Sequence, residues 1–340
     1  MGRDSDSCRL ISILFAFGVI ALGQSARVVP APGIKMPGIA DSNSPSFRSN
    51  GRLYVFNSDG LAVRSEGSDI ENLGQVRAVK LYSYEHVPMW IEATYKAPDG
   101  TLYAWYHHEI YLGCDRNPVS APAIGALRSD DDGMTFFDLG IVIQASPESM
   151  NCATSNRYFG GGNGDFSVIS DQKGEYLYFL YSNYSGDPSM QGVAIARMSM
   201  SDLDQPVGRV FKYAWSTWNE PGLGGKESPV FAVSSSWDSD APDALWGPSI
   251  HWNTYLNQYV MLMNHSCCTP DWPQAGIYIS FSPDLARPEL WQQPTKILDG
   301  GGWYPMVFGL DVDGTDKLAG KQARFFMGSD SNWLIEFDIN

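Results

Sequence analysis

The chain has 340 residues, 44% of them hydrophobic and 18% charged, a balance that suits a globular protein with a large core. Its formal net charge of −15 argues against nucleic acid and anionic membranes as partners, because a field of that sign repels both, and favours a neutral or cationic ligand over a polyanion. Aromatic residues reach 13%, with 11 Trp and 17 Tyr, which points to β-structure, where rings pack on a pleated surface, and to sugars, whose C–H faces stack on rings.

At the N-terminus Arg3 and Arg9 flank the start of an apolar run from Leu10 to Gly23. At about 14 residues the run is too short to span a bilayer comfortably. Small residues follow at Gly23, Ser25 and Ala26, the pattern of a secretory signal peptide over residues 1–26. Asp4 and Asp6 depart from the usual basic leader, and the competing reading is a buried hydrophobic strand. The expectation is a secreted or periplasmic protein whose residues 27–340 form one domain. No other stretch could span a membrane, and nothing points to a protein partner.

Five strand signatures rich in aromatic residues then recur: Arg52–Asn57, Thr101–Tyr106, Glu175–Leu180, Gln258–Met263 and Ala323–Gly328. Each has a companion downstream: Leu61–Ser65, Ile124–Ser129, Val193–Arg197, Gly276–Phe281 and Trp333–Asp338. Each also has a third element upstream: Asp41–Phe47, Trp90–Tyr95, Gly164–Val168, Trp246–Ile250 and Trp303–Val307. Gly, Pro, Asn and Asp turns separate them, and no long stretch has helical periodicity. A unit of this kind repeated five times predicts an all-β, five-bladed β-propeller, with residues 28–40 adding a strand to the last blade. A β-sandwich with chance similarities is the alternative. Ser129-x-Asp131-x-Gly133-x-Thr135-Phe136 fits the Asp-box of sialidase-type propellers, where Asp and Gly shape a hairpin turn, so its expected role is structural.

The element before each aromatic strand is the natural innermost strand of its blade, lining the central funnel. Asp41 lies ten residues before Gly51, Glu92 eight before Gly100 and Asp165 nine before Gly174. These three acids are expected to ring the funnel mouth as the catalytic set. Glycosidic cleavage needs one carboxylic acid to protonate the leaving oxygen and a second carboxylate to activate water or attack. A third can raise the pKa of the first and orient it. The plainer alternative is that each acid caps a turn or pairs with an Arg. Asn43, Trp90, His108, Trp246, Trp303 and Tyr304 are candidates for substrate contact, the Trp rings for stacking; packing between blades is the competing role for each Trp.

Asp41-Ser-Asn-Ser-Pro-Ser-Phe47, the run from Gly164-Asp-Phe-Ser-Val168 to Phe179, and Trp246-Gly-Pro-Ser-Ile-His-Trp252 resemble the blade motifs of glycoside hydrolase family 43 and its relatives in families 32, 68 and 117. The likeness runs through roughly residues 38–339, on short and loosely matched motifs. It implies Asp41 as base or nucleophile and Asp165 as the residue that tunes the acid and holds substrate hydroxyls. It also leaves room for a structural calcium in the propeller channel, as some members of family 43 hold; no other cofactor is expected. The family's acid is a Glu in a Glu-Gly-Pro-like motif of a later blade, where this chain has Trp246-Gly-Pro. Glu92 is the first candidate to replace it, Glu227 the second and Glu220 the third, with His108 or Glu109 also within reach. Trp246 in that place also favours a rival reading, a non-catalytic carbohydrate-binding propeller; a third is a propeller for protein interactions.

Several weaker signals complete the reading. In His107-His108-Glu109 only His107 and Glu109 share a strand face, so no metal site is expected there. Asp311-x-Asp313-Gly314 lacks the later Glu of a calcium loop, and Gly160–Gly164 leads into a strand, so neither a calcium nor a phosphate cradle is expected. Beyond Cys8 the chain has Cys114, Cys152, Cys267 and Cys268, an even number compatible with disulfides. Their pairing stays open, although adjacent Cys267 and Cys268 are not expected to bond each other. Asn183-Tyr184-Ser185 and Asn264-His265-Ser266 match the glycosylation sequon.

Overall fold

The computed structural model describes residues 23–115 and 118–339. All but the last four residues of the expected signal peptide lie outside them. Five sheets, antiparallel but for short parallel pairings of Lys80–Leu81 in one and Leu318–Ala319 in another, surround one axis as the blades of a β-propeller. Blades 1 to 4 run outward in chain order from an inner strand. Blade 1 consists of Ser46–Ser49, Arg52–Ser58, Ala62–Gly67 and Arg77–Ala78. Blade 2 is Met89–Lys96, Leu102–Tyr111, Ser120–Ser129 and Thr135–Ile143. Blade 3 is Asn163–Ser170, Tyr176–Asn183, Gly192–Ser199, Val210–Ala214 and Thr217–Pro221. Blade 4 is Asp243–Asn253, Gln258–Cys267, Gln274–Ser282 and Thr295–Asp299. Blade 5 takes Pro305–Gly309, Gln322–Met327 and Asp330–Ile339 from the end of the chain and its outermost strand, Gln24–Lys35, from the start. That pairing begins with Gln24 opposite Ile339, so the strand expected within 28–40 opens earlier, inside the segment expected to be a leader.

The apolar alternation of the strands explains the ring. One face of every blade meets the next, and each junction holds its own buried cluster. Phe56 and Phe136 meet between blades 1 and 2. Trp105 stands edge-on to Phe179, with ring centroids 5.6 Å apart, between blades 2 and 3. Tyr178 and Met261 share the cluster of blades 3 and 4, and Phe281 and Phe325 that of blades 4 and 5. Val55 and Phe326 close the circle between blades 1 and 5. Each such side chain contributes about 1.5–3 kcal/mol on burial, so the ring is held by five apolar seams rather than by one central core. Asp131 and Ser129 shape the turn of blade 2 as expected: Ser129 Oγ accepts the Gly133 N–H at 2.9 Å, and Asp131 Oδ1 accepts the Thr135 N–H at 2.9 Å. Gly133 sits there at φ 78°, against the Phe56 ring.

One expectation about the cysteines is corrected. Cys267 and Cys268, expected not to bond because they are adjacent, are bonded to each other: the peptide between them is cis and their Cα atoms stand 3.3 Å apart. Cys114 pairs with Cys152. Both sequon asparagines, Asn183 and Asn264, are buried in strand pairs, so neither is presented to a glycosylating enzyme in the folded chain.

Candidate active site at the mouth of the propeller

The inner strands of blades 2 and 3 each carry one residue more than their partners. Pairing passes from Ile91 opposite Tyr106 to Ala93 opposite Trp105, leaving Glu92 over, and from Gly164 opposite Ser182 to Phe166 opposite Tyr181, leaving Asp165 over. Such a bulge re-aims a side chain without ending the strand, and both acids line one crevice. Asp165 takes the left-handed conformation, φ 42°, to do so. The inner strand of blade 4 has a related irregularity at Gly247 and Pro248, but there the neighbouring side chain is Trp246.

Asp41 joins them from the loop ahead of blade 1 rather than from a strand: the inner strand starts only at Ser46, and the Asp41 N–H donates to the Ser58 carbonyl at 2.9 Å. Likewise Trp303 and Tyr304 precede the inner strand of blade 5. His107 and Glu109, on one face of the second strand of blade 2, complete the crevice with Trp90, Phe159 and Tyr304. Gly164 makes room for His107, since a Cβ there would fall 2.7 Å from the imidazole Cε1. The crevice measures about 30 Å³. That holds roughly a water molecule or two and no sugar ring, so a ring has to sit at its rim.

Inside the crevice the buried carboxyls and the imidazole are paired, while the Trp90 Nε1–H is buried without a partner. Asp165 accepts the hydroxyls of Tyr184 and, at 3.3 Å, Tyr304. Glu92 Oε2 accepts the Phe166 N–H at 2.9 Å, and its Oε1 lies 3.5 Å from His107 Nδ1. His107 Nε2 is 3.7 Å from Glu109 Oε1, while Glu109 Oε2 accepts the Ser120 hydroxyl at 2.9 Å. Burial pushes the Glu92 carboxyl up to about 7 even though His107 opposes the shift. Asp41 is exposed on one side only: partial burial at the rim, then the charges of Asp165, Asp59 and Glu109, raise it to about 6. Asp165 is raised by burial against the pull of His107. Burial works against ionisation of Glu109 too, but its hydrogen bond to His107 prevails and holds it below the usual carboxylate range. Burial disfavours the His107 cation, yet hydrogen bonds to Glu109 and Glu92 and the Asp165 charge lift the ring to about 10. The Asp165 N–H, 3.1 Å from Nδ1, opposes a second ring proton. Glu92 and His107 are therefore best described as a pair holding a proton between them.

Glu92, His107 and Asp165 also offer three ligand atoms within 4.8 Å of one another. Those groups are already engaged by the Phe166 N–H, the Asp165 N–H and two tyrosine hydroxyls. An imidazole is not among the oxygen donors that calcium takes, so this trio does not fit the calcium that the resemblance leaves room for.

The other candidates divide. Trp90 lines the crevice, edge-on to His107 at 5.5 Å. Trp303 is half-buried at the edge of an aromatic wall formed by Phe159, Tyr184, Trp237, Trp246, Trp272 and Tyr304. Trp246 is 0% exposed inside that wall, its Nε1–H donating to Ser266 Oγ at 2.8 Å, so it packs rather than stacks on a ligand. Asn43 is buried beneath the site and donates to the carbonyls of Phe166, at 2.8 Å, and Pro248, at 3.2 Å, tying blades 1, 3 and 4 together. His108 points to the opposite face, with Nδ1 3.0 Å from the Pro88 carbonyl. Glu227 is locked in a buried ion pair with Lys212 at 3.2 Å, and Glu220 lies on the outermost strand of blade 3, so neither reaches the crevice. Phe159, Tyr184 and Trp272 carry no sequence signal of their own, because loops from distant parts of the chain bring them here. A larger depression, about 680 Å³, lies between blades 1 and 5 at the far ends of the inner strands and includes none of these groups.

No protein-family model matches the chain, and no curated protein matches it. Solved structures do. A thermostable family-43 glycoside hydrolase is 15% identical, with 92% of each chain covered and a TM-score of 0.52. The endo-arabinase of Bacteroides thetaiotaomicron VPI-5482 is 13% identical over 90% of this chain and 98% of its own, with a TM-score of 0.55. The exo-beta-1,3-galactanase of Phanerochaete chrysosporium, solved with beta-1,3-galactotriose, is 13% identical over 92% of this chain and 64% of its own, with a TM-score of 0.51. At these identities the likeness is one of fold: the chain is a five-bladed β-propeller of the architecture found in family 43 glycoside hydrolases.

Proposed function

We propose that this protein is a glycoside hydrolase that cleaves a neutral oligo- or polysaccharide at the crevice of Asp41, Glu92 and Asp165. The observation that carries the reading is the convergence of carboxylates from three blades on one crevice, where Asp41 and Glu92 are raised to about 6 and about 7 while neighbouring Glu109 is held below the usual range. Cleavage needs a carboxyl that keeps its proton near neutral pH beside one that does not, and groups with divided pKa values mark such an assignment. The solved relatives, named as galactanase, arabinase and family-43 hydrolase, support the same class. Asp41 faces solvent at the rim, and its raised pKa suits proton donation, whereas the motif resemblance implied a base or nucleophile there. Glu92, expected to be the acid, is 1% exposed and acts from behind, with Asp165, by setting the charge of the crevice. Secretion is part of the proposal: the apolar run after Arg9 supports it, as does the Cys114–Cys152 bond, of a type that persists in oxidising compartments.

A second reading, a carbohydrate-binding propeller without catalysis, is favoured by Trp246 standing where the resemblance calls for an acid. The experiment is a long incubation with a panel of neutral plant and algal glycans, followed by mass spectrometry of the products and calorimetry of binding. Release of shorter sugars supports hydrolysis; binding without release selects the second reading; release that persists undiminished in folded Asp165→Asn removes the crevice from the mechanism.

A further inference from the structure

Five ionisable side chains with carboxyl or imidazole groups line the crevice, but they form two layers. Glu92, His107 and Asp165 are buried, while Asp41 is exposed and the Glu109 side chain is 34% exposed. The inner groups are also occupied: both oxygens of Asp165 accept tyrosine hydroxyls, and Glu92 is held by the Phe166 N–H and faces His107. Since the crevice admits a water but no sugar ring, a glycosidic bond can meet only the outer layer.

We propose that Glu109 is a catalytic residue, the base that works with Asp41 at the rim; this rests on the hydrolase reading above. The Glu109 carboxylate takes a proton from a water whose oxygen bonds to the anomeric carbon. The glycosidic C–O bond breaks, and the departing oxygen takes the proton of the Asp41 carboxyl. One water is consumed, and the two carboxyls exchange protonation states, to be reset by solvent. Two fixed partners position Glu109 for this: the Ser120 hydroxyl on Oε2 and the His107 ring near Oε1. The His107 contact also keeps Glu109 below the usual carboxylate range, hence ionised when a base is needed. His107 and Glu109 share a strand face, so the residue behind the base and the base itself come from the same alternation.

The test is Glu109→Gln, which keeps the shape and an acceptor for Ser120. Two quantities are read: kcat/KM on the best glycan of the panel and the calorimetric affinity for a cationic iminosugar. A base of this kind is worth about 10²–10⁴ in rate, so kcat/KM should fall by that factor while the thermal midpoint stays near that of the unsubstituted protein. Iminosugar affinity should weaken about tenfold as one facing charge, worth ~1.4 kcal/mol, is lost. If Glu109→Gln stays within about threefold in kcat/KM while Asp41→Asn loses activity, the base is elsewhere and only this inference fails. If the unsubstituted protein binds the iminosugar but cleaves nothing, the hydrolase reading fails and Glu109 as a base is overturned with it, whatever the affinity of the variant. No cleavage and no binding by the unsubstituted protein ends the hydrolase reading and this inference with it.

Discussion

Replacing Glu92 with Gln should remove one component of the pH dependence of stability and leave the rest. In the fold its carboxyl is raised from 4.5 to about 7, chiefly by burial. A native state that binds a proton more tightly than the unfolded chain gains stability from it. That gain is fully present below the unfolded value of 4.5 and is lost as pH rises to about 7. At ~1.36 kcal/mol per unit the shift amounts to about 3 kcal/mol, a ceiling because His107 shares the proton. Gln resembles the protonated acid at every pH and can still accept the Phe166 N–H. Urea unfolding at pH values from about 4 to about 9 should therefore show nearly equal stability of the two proteins at the acid end. The variant should gain up to ~3 kcal/mol across the window, with a plateau above it. Stability curves that run parallel over the whole range would refute the placement of a proton on Glu92.

Three further outcomes follow from the packing. Trp246→Ala empties the centre of the aromatic wall and should cost about 3–5 kcal/mol, seen as a lower urea midpoint at unchanged slope. Lys212→Met leaves Glu227 buried without its cation and should cost ~3–5 kcal/mol; adding Glu227→Gln should recover part of the loss in a double-mutant cycle. Cys114→Ser opens a bridge across a sequence separation of 38 residues. It should cost up to about 4 kcal/mol by the chain-entropy estimate, read as a lower thermal midpoint than that of the parent protein.

The fold was legible because strand alternation and aromatic strands repeat with the blade. Phe56, Trp105 and Phe179 each stand fifth in their strand signatures, and each ends in a seam between neighbouring blades. The carboxylates were legible to the same depth: Glu92 and Asp165 lie on inner strands, and Asp41 lies just ahead of one. What alternation cannot carry is a bulge. A single unpaired residue at Glu92 and at Asp165 decides which side chain enters the crevice, and no period-two pattern marks it. Burial was equally hidden, since whether Trp246 faces a ligand or a wall depends on Trp272 and Trp303, contributed by remote segments. Glu109 was within sight through the face it shares with His107, yet its role depends on exposure that only the folded hairpin decides.

The claim that the crevice, and no other surface, cleaves the glycan is met most directly by one comparison of kcat/KM. The unsubstituted protein, Asp41→Asn and Asp313→Asn, the last in the depression on the far side of the ring, are measured on the same substrate. Asp41→Asn should lose a factor of about 10²–10⁴, and Asp313→Asn should be unchanged. Full activity in a folded Asp41→Asn, or a comparable loss in Asp313→Asn, would contradict the claim.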